Sequence, residues 1–131
     1  MSEESFEGTN REMLEQVLRN LKSKDPDIEG IIIAKNDGLV IASLLSTNED
    51  PLLISALTAS LYSMSIQAIT KLQRGSMKQL LITGTKGMIL VKEINDQASI
   101  GAILSSKANI GLAMIELDRA IKKIRNIIES M

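Results

Sequence analysis

Residues 52–70 read LLISALTASLYSMSIQAIT, 19 positions without a charged side chain, preceded by Asp50-Pro51 and followed by Lys71. A surface helix backs its apolar stripe with a charged one. This segment has no charged stripe, so it predicts a helix covered on both sides, one cover being its own sheet and the other a partner. A helix buried wholly within one domain would read the same way. Asp50 can accept the first free amide, and Pro51 stands where a missing N–H costs nothing. At about 100° per residue, Leu53, Ile54, Leu57, Leu61, Met64, Ala68 and Leu72 share one broad stripe, which is expected to face the sheet. Ser55, Ala59, Tyr62, Ser63, Ile66 and Gln67 lie roughly opposite and would let another helix approach to about 8–10 Å. Six Ser/Thr residues and Gln67 interrupt the segment, whereas a membrane span needs about 20 predominantly apolar positions. No direct membrane insertion is expected.

Around this helix the chain is that of one ordinary domain. Its 131 residues can bury a sizeable core, and 15 basic against 16 acidic side chains leave no global field for nucleic acid or anionic lipid. Phe6 and Tyr62 are the only aromatic residues, so platforms for stacking bases are missing and the core must be aliphatic. With no Cys and no His, disulfides, thiolate chemistry, Ser-His-Asp triads and the usual zinc sites are excluded. The polar, acidic N-terminus does not resemble a signal peptide, and a cytoplasmic protein is expected.

Residues 1–9 are expected to form a flexible tail, with one domain over 10–131. From residue 10 to 23, Met13, Leu14, Val17, Leu18 and Leu21 recur at helical spacing, ending before Asp25-Pro26. Residues 30–35 and 39–44 are short Ile/Val-rich runs joined by Asn36-Asp37-Gly38, which reads as a β-hairpin. Gly75 is expected to stop the uncharged helix. Strands over 77–83, 88–94 and 99–104 follow, with connections short enough to make them antiparallel neighbours. Runs such as Ile31-Ile32-Ile33 indicate a sheet covered on both faces. Over 109–131, Ile110, Met114, Leu117, Ile121, Ile124, Ile128 and Met131 form a seam that suits a terminal helix lying on the sheet beside the first, or a coiled coil.

Catalytic chemistry finds no footing in these residues. Gly84-Thr85-Lys86-Gly87 has a Gly and a Lys but neither the frame of a phosphate loop nor a following helix, so it reads as a hairpin turn. Asp25, Asp27, Glu49 and Asp50 flank prolines at helix boundaries and read as caps and turn formers. Arg119, Lys122, Lys123 and Arg125 make the strongest local charge cluster, read as a solvated helix face and, in second place, as a patch for an acidic partner or a membrane surface.

Gly30 before an apolar strand, the turn Asn36-Asp37-Gly38-Leu39, a long uncharged helix ending Leu72-Gln73-Arg74-Gly75, Gln79 in the next strand, and Ala108-Asn109-Ile110-Gly111 opening the last helix together resemble the roadblock/dynein light chain family. The likeness runs from about residue 10 to the end. It implies an α+β fold, α-β-β-α-β-β-β-α, whose five-stranded antiparallel sheet carries the long helix on one face and the two terminal helices on the other. It further implies a homodimer in which the third strand pairs with its symmetry mate and the long helices pack across the joint. Members serve as dynein light chains, as scaffolds bound to Ras-like GTPases, and in prokaryotes as partners or activators of such GTPases.

The expected dimer interface is therefore Met77, Gln79, Leu80, Leu81, Ala59 and Ser63, and the expected partner-binding residues are Tyr62, Ile66 and Gln67. The expected function is a non-catalytic binding module for a small Ras-like GTPase, with no cofactor, no metal and no nucleic acid. A structural light-chain-type subunit of a motor or membrane-associated assembly is the alternative, and a ligand-sensing or enzymatic domain ranks below both.

Overall fold

A computed structural model describes residues 3–131, with side chains described from Thr9 onward. Its elements run α1 (Glu3–Lys24), β1 (Ile28–Lys35), β2 (Val40–Leu44), α2 (Pro51–Lys71), β3 (Gln79–Thr83), β4 (Gly87–Asn95), β5 (Ala98–Ser105) and α3 (Ile110–Glu129). The strands form one antiparallel sheet in the order β2-β1-β5-β4-β3. This is the α+β order that the hydrophobic pattern implied. α1 begins at Glu3, ahead of the start expected at residue 10. Of the expected tail, residues 1 and 2 lie outside the described residues.

Local signals account for the turns and caps. In the β1–β2 turn the Gly38 N–H donates to Lys35 O and the Lys35 N–H to Leu39 O, both at 2.9 Å. Gly38 holds φ +92°, which the turn requires and a side chain would oppose. Asp50 Oδ1 accepts the Leu52 N–H at 3.0 Å and Asn109 Oδ1 accepts the Leu112 N–H at 3.0 Å, so α2 and α3 both start on a side-chain cap. The stop of α2 departs from expectation. Gln73, not Gly75, takes the left-handed position next to the helix, with φ 55°. The Gln73 N–H donates to Thr70 O at 3.1 Å and the Arg74 N–H to Ile69 O at 2.9 Å, the paired bonds that close a helix through such a residue. Gly75 is left-handed too, but lies beyond them.

Side chains alternate across the sheet and build two unlike layers. On one face Ile31, Ile33, Leu90, Ile94, Ile100 and Leu104 pack with Leu14 and Leu18 of α1 and Leu117 and Ile124 of α3. The α3 seam is thus used against the sheet, not in a coiled coil. Met13 is the exception on α1, being about half exposed. On the other face Ile32, Ala34, Val91, Ser99 and Gly101 lie beneath α2.

The orientation of α2 is the reverse of the one expected. Its buried residues are Ser55, Thr58, Ala59 and Tyr62. Leu53 (56% exposed), Leu57 (50%) and Met64 (66%) point away from the sheet. Neither stripe is charged, so charge could not orient the helix, and fit decided instead. A Cβ on Gly101 would stand 2.5 Å from Thr58 Oγ1. Small side chains and a bare glycine thus bring helix and sheet into close approach, which a leucine face would prevent. The Thr58 hydroxyl is satisfied within the helix, donating to Ile54 O at 2.8 Å. By length and composition α2 could cross a bilayer. Here one of its faces is packed on the five-stranded sheet.

Candidate interaction surface

Among the described residues, two neighbouring features at the β3 end of the sheet lack a partner in the single chain, and β2 is the edge strand at the opposite end. The first is the outward stripe of α2, where Leu53, Leu57 and Met64 stand at spacings of four and seven, flanked by half-buried Leu61. The second is the edge strand β3, which is hydrogen-bonded to β4 on one side only. β3 presents Leu80 and Ile82 to the α2 side, opposite Val91 and Ile89 in the register. Ile82 and Ile89 are both exposed. An exposed apolar stripe and an open strand edge are each features that proteins ordinarily cover or blunt.

The structure divides the expected interface residues. Leu80 faces the α2 side, whereas Gln79 and Leu81 alternate onto the α3 side, with Leu81 packed against the core there. Met77 is half-exposed just before β3. Ser63 is exposed and lines an open groove of about 470 Å³ between the Asn36-Asp37-Gly38 turn and α2, together with Ala56, Ser60 and Met64. Ala59 is buried against the sheet and cannot face a second helix.

Tyr62 is likewise corrected. It is nearly inaccessible, and its hydroxyl donates a short hydrogen bond to Glu93 Oε1. Burial, then the hydrogen bond and charge of Glu93, and then the charge of Asp96, hold its pKa well above the ordinary tyrosine value near 10. It is a protonated donor that pins α2 to β4, not an exposed contact. Ile66 and Gln67 remain exposed on the C-terminal half of α2. Leu53, Leu57, Met64, Ile82 and Ile89 were missed as surface residues. The signal for the first three was visible as a stripe, but apolarity alone pointed it inward.

The polar side chains singled out in the sequence serve local structure. Among the described residues no group of three His, Cys, Asp or Glu side chains converges on a metal position. Residues 84–87 close the β3–β4 turn, with the Gly84 N–H donating to Gly87 O at 2.8 Å.

The Roadblock/LC7 domain model matches residues 13–105, from within α1 to the end of β5. The chain belongs to the Roadblock/LC7 family. Its roadblock fold also superposes on MglB from Myxococcus xanthus with a TM-score of 0.82, at 18% identity, covering 90% of this chain and 96% of that one. The gliding protein mglB of Thermus thermophilus gives 0.81 at 15% identity, covering 93% of each chain. A Roadblock/LC7 domain from Streptomyces avermitilis gives 0.79 at 17%, covering 85% and 93%. In sequence, an uncharacterized protein of Methanocaldococcus jannaschii is 29% identical over 113 residues, 86% of this chain and 97% of its own length. At these identities the structural likenesses establish the roadblock fold, and the relatives are prokaryotic.

Proposed function

We propose that the chain is a homodimeric, non-catalytic module that engages a small Ras-like GTPase in the cytoplasm and acts on its nucleotide cycle only through binding. The observation that carries the reading is the outward apolar stripe of α2 beside the open edge of β3, in a chain whose family is associated with such GTPases. A two-fold axis at β3 pairs the two edges into one continuous sheet and sets the α2 stripes against each other.

Magnitudes support both contacts acting together. Leu53, Leu57 and Met64 are already a third to a half covered, so completing their burial yields about 1 kcal/mol each, or about 6 kcal/mol over two protomers. Association costs about 4–15 kcal/mol in lost freedom. The helices alone therefore meet only the low end of that cost and fall well short of the high end. Pairing of the β3 edges supplies the remaining stabilisation and the register.

With the stripe and β3 used in the dimer, the GTPase is assigned to the flank of α2 toward the β1–β2 turn. There Ser60, Ser63 and Gln67 are exposed and uncharged, beside the open groove at Asp37. The structural light-chain reading requires the same dimer but no GTPase. Binding of the unmodified protein to GDP- and GTP-loaded Ras-like GTPases from its own source separates the two. Micromolar or tighter binding that Ser63→Arg weakens while the dimer persists supports the GTPase reading. A dimer that captures none of them rejects it in favour of the structural subunit.

A further inference from the structure

On the side of the sheet away from α2, the same edge strand borders a second feature. α3 packs on β4 and makes no comparable packing with β3, leaving an open groove of about 490 Å³ between helix and edge. Gln79 and the stem of Lys92 form its floor, Lys122 and Arg125 rise from α3, and Lys78 stands at the start of the edge strand. Lys92 is buried to 8% exposure, and its Nζ lies 2.6 Å from Asp118 Oδ1. The Arg125 Nε donates to Ile94 O at 2.8 Å, which fixes the guanidinium, and its terminal nitrogens make no hydrogen bond or ion pair among the described residues. Glu93 borders the groove only through its backbone side, because strand alternation turns its carboxylate to Tyr62 on the other face. Four cations thus share a groove with one carboxylate, in a chain whose net charge is -1.

We propose that this groove binds an acidic polypeptide segment of a partner protein, laid along β3 on the face opposite α2. The cations are spread along a trough that also offers apolar Ile121 and Met77 and the amide of Gln79, a mixture suited to a chain with spaced carboxylates. A compact anion would need donors converging on one point. A flat bilayer surface would reach Lys122 and Arg125 but not Lys92 in its recess. Because the groove lies across the sheet from α2, the proposal holds whether or not a GTPase binds the α2 flank.

The test uses the full chain and a fluorescein-labelled peptide of about ten glutamates, read by anisotropy at low salt, where charge-led binding is strongest. Lys78→Glu/Lys122→Glu reverses two exposed charges that make no ion pair or hydrogen bond among the described residues, so the fold is left intact. The control Lys24→Glu/Lys123→Glu makes the same charge change in the α1–α3 groove. Saturable binding is expected, weakened about tenfold or more by the first pair and by less than about twofold by the second. Equal loss in both variants would show general electrostatics and overturn the proposal, as would absence of saturable binding. Inorganic phosphate displacing the peptide at matched molar concentration would reassign the groove to a small anion. Phosphatidylserine vesicles binding where the peptide does not would reassign it to a membrane surface.

Discussion

The side chain of Thr58 fills the space above Gly101, so that a Cβ on that glycine would stand 2.5 Å from Thr58 Oγ1 and 3.0 Å from its Cγ2. Thr58 is held there by its own bond to Ile54 O, and Gly101 is fixed in the central strand between Ile32 and Val91. Neither can yield without moving helix or sheet. Gly101→Ala should therefore destabilise the fold by about 1–3 kcal/mol through overpacking. Thr58→Ala on the same background removes both clashing atoms and should restore a large part of the loss. Urea titrations of the two single variants and the double give the coupling directly. Additive effects would mean that the two residues do not meet.

Gln73 occupies a backbone position that suits glycine, with φ 55° and both capping bonds made by its own amide and that of Arg74. An L side chain there costs about 1 kcal/mol, and a glycine loses part of that gain to its freer unfolded chain. Gln73→Gly is expected to stabilise the protein by about 0.5 kcal/mol, seen as a higher urea midpoint with unchanged slope. A fall in the midpoint would show that the Gln73 side chain contributes contacts of its own.

Tyr62 links stability to pH with a definite sign. Its pKa is raised in the fold, so its contribution is complete below about pH 10 and is lost as pH rises above that value, where the unfolded chain ionises first. Tyr62→Phe keeps the ring but removes the donor to Glu93, and because Glu93 is exposed the loss at neutral pH should be only about 1 kcal/mol. Denaturation of both proteins at neutral pH and near pH 10.5 should show the gap between them closing. A gap that widens with alkali would mean that the phenolate is favoured in the folded state.

The element order was legible because each boundary carries its own local chemistry: Asp50-Pro51 before α2, Asn36-Asp37-Gly38 between β1 and β2, Asn109 before α3. The direction of α2 was not, because periodicity states which residues share a face but not which face the sheet accepts. That choice rests on Gly101 and Thr58, which are 43 positions apart in sequence. The error passed directly to the site residues, placing Ala59 and Tyr62 on the surface and Leu53, Leu57 and Met64 in the core. The charge cluster on α3 was visible, but Lys78 and Lys92 join Lys122 and Arg125 only through the pairing of β3 with β4 and the packing of α3. Gln73 escaped for a different reason, since Gly75 offered the stronger sequence signal two residues later.

Leu57 is half exposed on the outward stripe of α2 and takes no part in the core. In the single chain Leu57→Glu should change stability by no more than about 0.5 kcal/mol, because a glutamate there is hydrated. Across a two-fold joint the same change sets two carboxylates against leucine and methionine, with no cation on the outer face of residues 52–70 to pair them. Burying such charges costs about 3 kcal/mol or more, so the dimer dissociation constant should rise at least about a hundredfold. Leu80→Pro, which removes an N–H from β3, should weaken the dimer as well if the edges pair. Light scattering across a concentration series, with circular dichroism to confirm the fold, reads both effects. Leu57→Glu remaining a dimer while Leu80→Pro becomes a monomer would confine the interface to the strand edge, and a monomeric unmodified protein at micromolar concentration would remove the two-fold joint altogether.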